Sequence, residues 1–227
     1  MVKAFTTNSA DFPTLVATCA GCQVYACSRG TGFPDDCPTP DAAVAEILAA
    51  ARRELERPEN MKLAAAAARI EALGYCKWTR LEETIEYARL CGFHRLGVAF
   101  CTGLKAEAKV LVQTLEENGF EVATAVCKFG SLPKETLGLT DAEKVRPGGF
   151  EAMCNPIGQA ALLDAAGSEF SIVFGLCVGH DTLFLKHTKA PATVLVAKDR
   201  VLAHNPIGAL YCQSYYRNKL RSHRLPD

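Results

Sequence analysis

The sequence has no surplus of charge. Lysine and arginine total 25, aspartate and glutamate also total 25, and the formal net charge is zero. Without a basic excess there is no electrostatic reason to expect a nucleic acid or an anionic membrane surface as partner. No apolar run comes near the roughly 20 residues that a membrane-spanning helix needs. The opening "VKAFTTNSADFPTLVATCAGC" (2–22) has neither a charged n-region nor an apolar h-region, so the sequence predicts a cytoplasmic location. An even complement of cysteines is missing too, because there are eleven. An odd count argues against a fully paired disulfide framework, and a cytoplasmic setting keeps thiols reduced. The length of 227 residues, with 49% hydrophobic and 22% charged residues, is enough for a globular protein with a real core.

Reduced thiols in clusters point to metal or redox chemistry. The stretch "TCAGCQVYACSRGTGFPDDCPTP" (18–40) spaces Cys19, Cys22, Cys27 and Cys37 as C-x2-C-x4-C-x9-C. C-x2-C lets two thiolates chelate one metal, and four soft thiolates suit zinc or an iron–sulfur cluster. Four unconnected cysteines would be the bland alternative, and the spacing weighs against it.

Three regions differ in composition. Residues 1–40 form a Cys-, Gly- and Pro-rich metal-binding segment. Residues 41–93 read as a helical region packed on the core. Asp41 stands before "AAVAEILAAARRELER", "NMKLAAAAARIEALG" stops at Gly74, and Thr79 with Glu82 forms a capping box ahead of a helix that stops at Gly92. Residues 94–227 alternate strand and helix. Strands are predicted at 95–101, 120–127, 170–177 and 191–199, with helices at 103–119, 154–167 and after Cys177. Asn155 is the expected N-cap of the second of these, with Pro156 at its first position. The predicted fold class is α/β: a parallel-sheet three-layer core with an N-terminal Cys-rich metal-binding segment and helices.

In that fold four further cysteines become a candidate site. Cys101, Cys127 and Cys177 each end a predicted strand, and Cys154 directly precedes a predicted helix. Carboxyl ends of parallel strands and N-termini of the following helices share one rim, where ligands bind. Helix N-termini also stabilise thiolates and anionic groups. In "GLCVGHD", His180 is a candidate metal ligand or proton donor. Asp181 is either catalytic or merely the cap of the next helix, and His204 is a weaker candidate. The bland reading of a cysteine at a strand end is a small buried hydrophobe. Cys76, Cys91 and Cys212 are read as core residues, His94, His187 and His223 as surface residues, and the basic end 215–224 as a solvated terminus.

The blocks "TCAGC", "CPTPD", "GYCKWTRLEETIEYARLCGFHRLGVAFCTGLKAEA", "VCKFG", "FEAMCNPIGQA" and "GLCVGHDTLFLKHTKAPATVLVAKDRVLAHNP" cover roughly residues 19–211. They resemble a cysteine-rich prokaryotic family of uncharacterised metal-binding proteins (domain of unknown function 1847). The resemblance implies a metal site at Cys19, Cys22, Cys27 and Cys37, and makes each rim cysteine part of a family motif. Some relatives have a second cysteine beside the "CK" position. Here Val126 occupies that place, which leaves Cys127 as the only ligand candidate of its block.

Two functions are therefore expected. The first is an iron–sulfur redox protein, an oxidoreductase or desulfurase acting on a small molecule, with a [4Fe–4S] cluster on Cys101, Cys127, Cys154 and Cys177. His180 and Asp181 would be its catalytic residues. The alternative is a non-enzymatic protein with structural zinc in the N-terminal knot and rim thiols that sense or traffic a soft metal. A thiol oxidoreductase using Cys154 or Cys177 ranks third, since no C-x2-C opens a helix in the α/β part. Expected partners are a small-molecule substrate or an electron-transfer partner, with no nucleic acid and no membrane.

Overall fold

The helix signals of residues 41–92 are met one after another. A computed structural model describes residues 19–221, and the chain divides into two compact units, Met1–Ala64 and Ala65–Asp227. Before the first helix the described chain is irregular, apart from short 3-10 turns at Cys19–Gly21 and Ala26–Ser28. Helix α1 (Ala42–Leu55) starts directly after Asp41. Helix α2 (Pro58–Gly74) begins two residues before the sequence reading, at a proline whose fixed φ suits a first helical position. Helix α3 (Arg80–Leu90) carries the expected capping box: Glu82 N–H donates to Thr79 Oγ1 at 3.3 Å, and Thr79 N–H to the Glu82 carboxylate at 2.6 Å.

From residue 95 the chain builds one all-parallel sheet. Its strands are β1 (Arg95–Phe100), β2 (Glu121–Val126), β3 (Phe170–Leu176) and β4 (Ala192–Ala197), in the order β2-β1-β3-β4. Helix α4 (Lys105–Glu117) carries β1 to β2 in one direction across the sheet. Helix α5 (Pro156–Ala165) precedes β3, and α6 (His180–His187) leads to β4 in the other direction. Right-handed crossovers running in opposite directions must place their helices on opposite faces. The packing agrees. Leu104, Ala108, Leu111 and Leu115 of the α4 segment meet Leu96, Val98, Ile172 and Phe174, together with Ile85 and Ala88 of α3. Ala160, Leu163 and Phe184, from α5 and α6, meet Ala99, Ala125 and Val173 on the other side. The fold is α/β, with helices covering both faces of the sheet. Because β1 and β3 are neighbours whose connections diverge, the crevice at their carboxyl ends is the topological switch point.

Helices α7 (Gly208–Tyr211) and α8 (Gln213–Arg221) complete the described chain. No described helix is long and apolar enough to cross a membrane. Two core assignments need correction. Cys91 is fully buried, but Cys76 and Cys212 are exposed. Cys76 falls in the turn after α2, at φ 55, where no second element covers it. His94 and His187 are exposed as expected, while His223 and the last residues of the basic end lie outside the described residues.

Candidate functional site

Register brings the first two rim thiols together. Strands β1 and β2 pair Arg95 with Glu121 through to Phe100 with Val126, so Cys101 and Cys127 follow side by side. Cys127 N–H closes the ladder onto Phe100 O at 2.9 Å. Alternation along a strand puts both on the side of Ala99 and Ala125, towards α5, where they are 7% and 2% exposed.

Cys154 reaches them by a detour. Between β2 and α5 the chain makes a long excursion whose two limbs return antiparallel. Lys134 N–H donates to Glu151 O at 3.0 Å, Met153 N–H to Leu132 O at 2.7 Å, and Asn155 N–H to Cys127 O at 2.8 Å. The last bond sets Cys154 against Cys127. Inside the excursion the Lys144 side chain, 4% exposed, ties Glu135 to Asp141. Asn155 then caps α5 as expected, accepting Gly158 N–H at 2.9 Å.

The fourth thiol depends on a break in β3. At Gly175, φ 67, the pairing with β4 slips, and a Cβ there would stand 2.1 Å from Leu104 Cδ1. The slip turns Leu176 onto the α5–α6 face and sets the path to Cys177 and Gly179, from which α6 begins with His180.

Contacts among these groups decide their charge. Cys127 hydrogen-bonds with both Cys101 and Cys154. It keeps its proton, its pKa pushed far up by those two thiols and by burial, although Thr102 N–H donates to its sulfur at 3.3 Å. The Cys127 hydrogen bond is the main reason Cys101 falls to about 5, helped against burial by Gly103 N–H and Lys198. Cys127 is also the main cause at Cys154, which falls to about 4, followed by the hydrogen bond with His180. His180 is raised in turn, chiefly by Cys154. Three adjacent thiols cannot all ionise, so the middle one supplies a proton that two thiolates share.

Several members of this site escaped the sequence reading. Arg200 Nη2 donates to Cys177 Sγ at 3.1 Å, and Lys198 lies beside Cys101. Both follow β4, the strand whose end carries no cysteine. Gln159 of α5 is fully buried and spans the sheet end, its Nε2 donating to Ala125 O at 2.6 Å and Phe100 O at 3.2 Å. A polar residue on the buried face of a helix was the available signal. Asp181 Oδ1 accepts Thr182 N–H at 2.8 Å, and the cap of α6 is Gly179. His204 is spent on its own loop, where its Nδ1 accepts Asp199 N–H at 3.1 Å.

In the other unit, Cys19, Cys22, Cys27 and Cys37 all line one cavity of about 720 Å³ with Tyr25 and Pro34. Cys27 Sγ lies 3.6 Å from Thr39 Oγ1. As the side chains stand, no three His, Cys, Asp or Glu residues among those described are grouped to hold a metal ion. The donor chemistry of both sets, soft sulfur with N–H and cationic neighbours at the rim, nonetheless fits a soft metal.

A family model described as "Protein of unknown function (DUF1847)" matches residues 37–195. The chain belongs to this family. An uncharacterized protein of Methanocaldococcus jannaschii is 47% identical over 167 residues, covering 74% of this chain and 84% of the other. No solved structure matches. The matched span contains the four rim cysteines and His180, whereas Cys19, Cys22 and Cys27 precede it and Lys198 and Arg200 follow it.

Proposed function

We propose that the chain is a metal–thiolate protein whose rim cysteines Cys101, Cys127, Cys154 and Cys177 hold a [4Fe–4S] cluster and act on a small molecule. One observation carries the reading: Cys101, Cys127 and Cys154, from three separate sequence blocks, interact at the carboxyl ends of two neighbouring strands. Thr102 N–H and Gly103 N–H already address the sulfurs of Cys127 and Cys101, the kind of outer contact that tunes a thiolate ligand. Ligation asks two things of these side chains, that Cys127 give up its proton and that Cys177 turn from Arg200.

A cluster bound there supplies electron transfer or, with one iron open, Lewis-acid chemistry suited to reduction or desulfuration. The protein's own contribution lies in its side chains. His180, hydrogen-bonded to Cys154 and raised in pKa, holds a proton at the rim. Asp181 serves the first turn of α6 that carries His180. Cys101 and Cys127 are shielded from water by α5, and Gln159 fixes the strand ends that bear them. Protein purified without oxygen is expected to be brown, with iron and acid-labile sulfide in comparable amounts. A colourless, sulfide-free preparation overturns the cluster and leaves the rim as a site that senses or carries a soft metal.

A second reading concerns the N-terminal set. The lining of one cavity by all four of its thiols favours a separate structural zinc on Cys19, Cys22, Cys27 and Cys37.

A further inference from the structure

We propose that the rim receives a small anionic molecule, its carboxylate or comparable oxyanion held by Lys198 and Arg200 near Gly103. This deepens the metal–thiolate reading by naming the substrate class for the same site.

The first support is a set of cations without carboxylate ion pairs. Lys128, Lys198 and Arg200 come from the loops that follow β2 and β4. None of them pairs with a carboxylate among the described residues, although eight such ion pairs form elsewhere. Lys128 Nζ is spent on Ala152 O, Lys198 leans on Cys101 and Arg200 on Cys177. Asp181 accepts Thr182 N–H, and Asp199 Oδ1 accepts Val201 N–H and Leu202 N–H, both at 2.9 Å.

The second support is access. A Cβ at Gly103 would lie 3.6 Å from Lys198 Nζ and 3.9 Å from Cys101 Sγ. Glycine at 103 therefore puts no side chain between the Lys198 ammonium and the Cys101 thiol. The approach is open, since Val178 is 92% exposed and a Cβ at Gly179 would meet nothing within 4 Å.

The third is a rigid mount for the arginine. Ala203 and His204 sit at φ 49 and 63, a conformation that side chains rarely adopt. Asp199 Oδ1 and His204 Nδ1 bond the loop to itself and hold it there. Both strained residues lie in the loop that presents Arg200.

The test is independent of metal. The reduced, metal-free full-length chain is alkylated with iodoacetate, an anion, or with iodoacetamide, its neutral counterpart, and each cysteine is followed by peptide mass spectrometry. In both reactions a thiolate displaces iodide and forms an S–C bond, so the thiolate fraction cancels in the ratio of rates. That ratio at Cys154 and Cys177 should exceed the ratio at exposed Cys76 and Cys212 by about tenfold. About 0.5 M salt should collapse the difference in the unaltered protein, and so should the double substitution Lys198→Gln with Arg200→Gln. Equal ratios at all four cysteines, or a preference indifferent to salt, overturn the proposal. Iron and sulfide content judges the cluster separately, so either idea can fail alone.

Discussion

At the scale of the residue, the informative group is Cys154. Its thiol is lowered to about 4 by Cys127 and His180, and His180 is raised by Cys154. The thiolate–imidazolium pair therefore exists above about pH 4 and below the raised His180 pKa, and only inside that window does it stabilise the fold. In the metal-free chain, alkylation of Cys154 by iodoacetamide should hold its rate as pH falls from 9 and decline only near 4. His180→Gln removes a cationic partner from the thiolate, so the midpoint should move upward. A midpoint near the ordinary thiol value of about 8.5 in the unaltered protein would refute the thiolate assignment. The placement of Cys101, Cys127, Cys154 and Cys177 was legible because strand ends and helix starts share a rim in any parallel α/β sheet. Lys198 and Arg200 were not, since a balanced overall composition gives no sign of where single cations gather. Asp181, which the sequence left open between a catalytic role and a helix cap, accepts the N–H of Thr182 in the first turn of α6.

At the scale of the element, the site depends on how α5 grips the sheet. Gln159 sends one amide to Phe100 O, the last carbonyl of β1, and to Ala125 O, one residue before the end of β2, and α5 starts where the long excursion ends. Gln159→Leu keeps the volume and loses both bonds, leaving buried carbonyl capacity unmet. A stability loss of about 1–3 kcal/mol by urea unfolding is expected, with faster amide exchange at Thr102 and Gly103. Unchanged exchange there would mean that α5 does not brace the rim. The strands and helices of this region were readable from apolar runs and caps such as Thr79 and Asn155. The excursion was not. Its antiparallel limbs pair Lys134 with Glu151 and Leu132 with Met153 across a polar loop with no apolar alternation, and a lysine buried between two carboxylates leaves no periodic trace.

At the scale of the whole molecule, the cysteines fall into two populations that belong to different units. Cys19, Cys22, Cys27 and Cys37 lie in Met1–Ala64, and Cys101, Cys127, Cys154 and Cys177 in Ala65–Asp227. Each set has its own supports: the cavity walls around Tyr25 and Pro34 for the first, strand ends and helix starts for the second. If each holds its own metal, losing one should leave the other occupied. Cys19→Ser is then expected to lose about one zinc per chain and to expose residues 19–64 to proteolysis, because a structural zinc contributes folding energy outright. Its iron and sulfide should be retained. Cys127→Ser should do the reverse, abolishing iron and sulfide while zinc persists, since Cys127 is the thiol that bridges Cys101 and Cys154. Elemental analysis of both variants prepared without oxygen decides the matter. Loss of both metals from either single substitution would mean that the eight thiols serve one centre, and the division of labour between the two units would have to be abandoned.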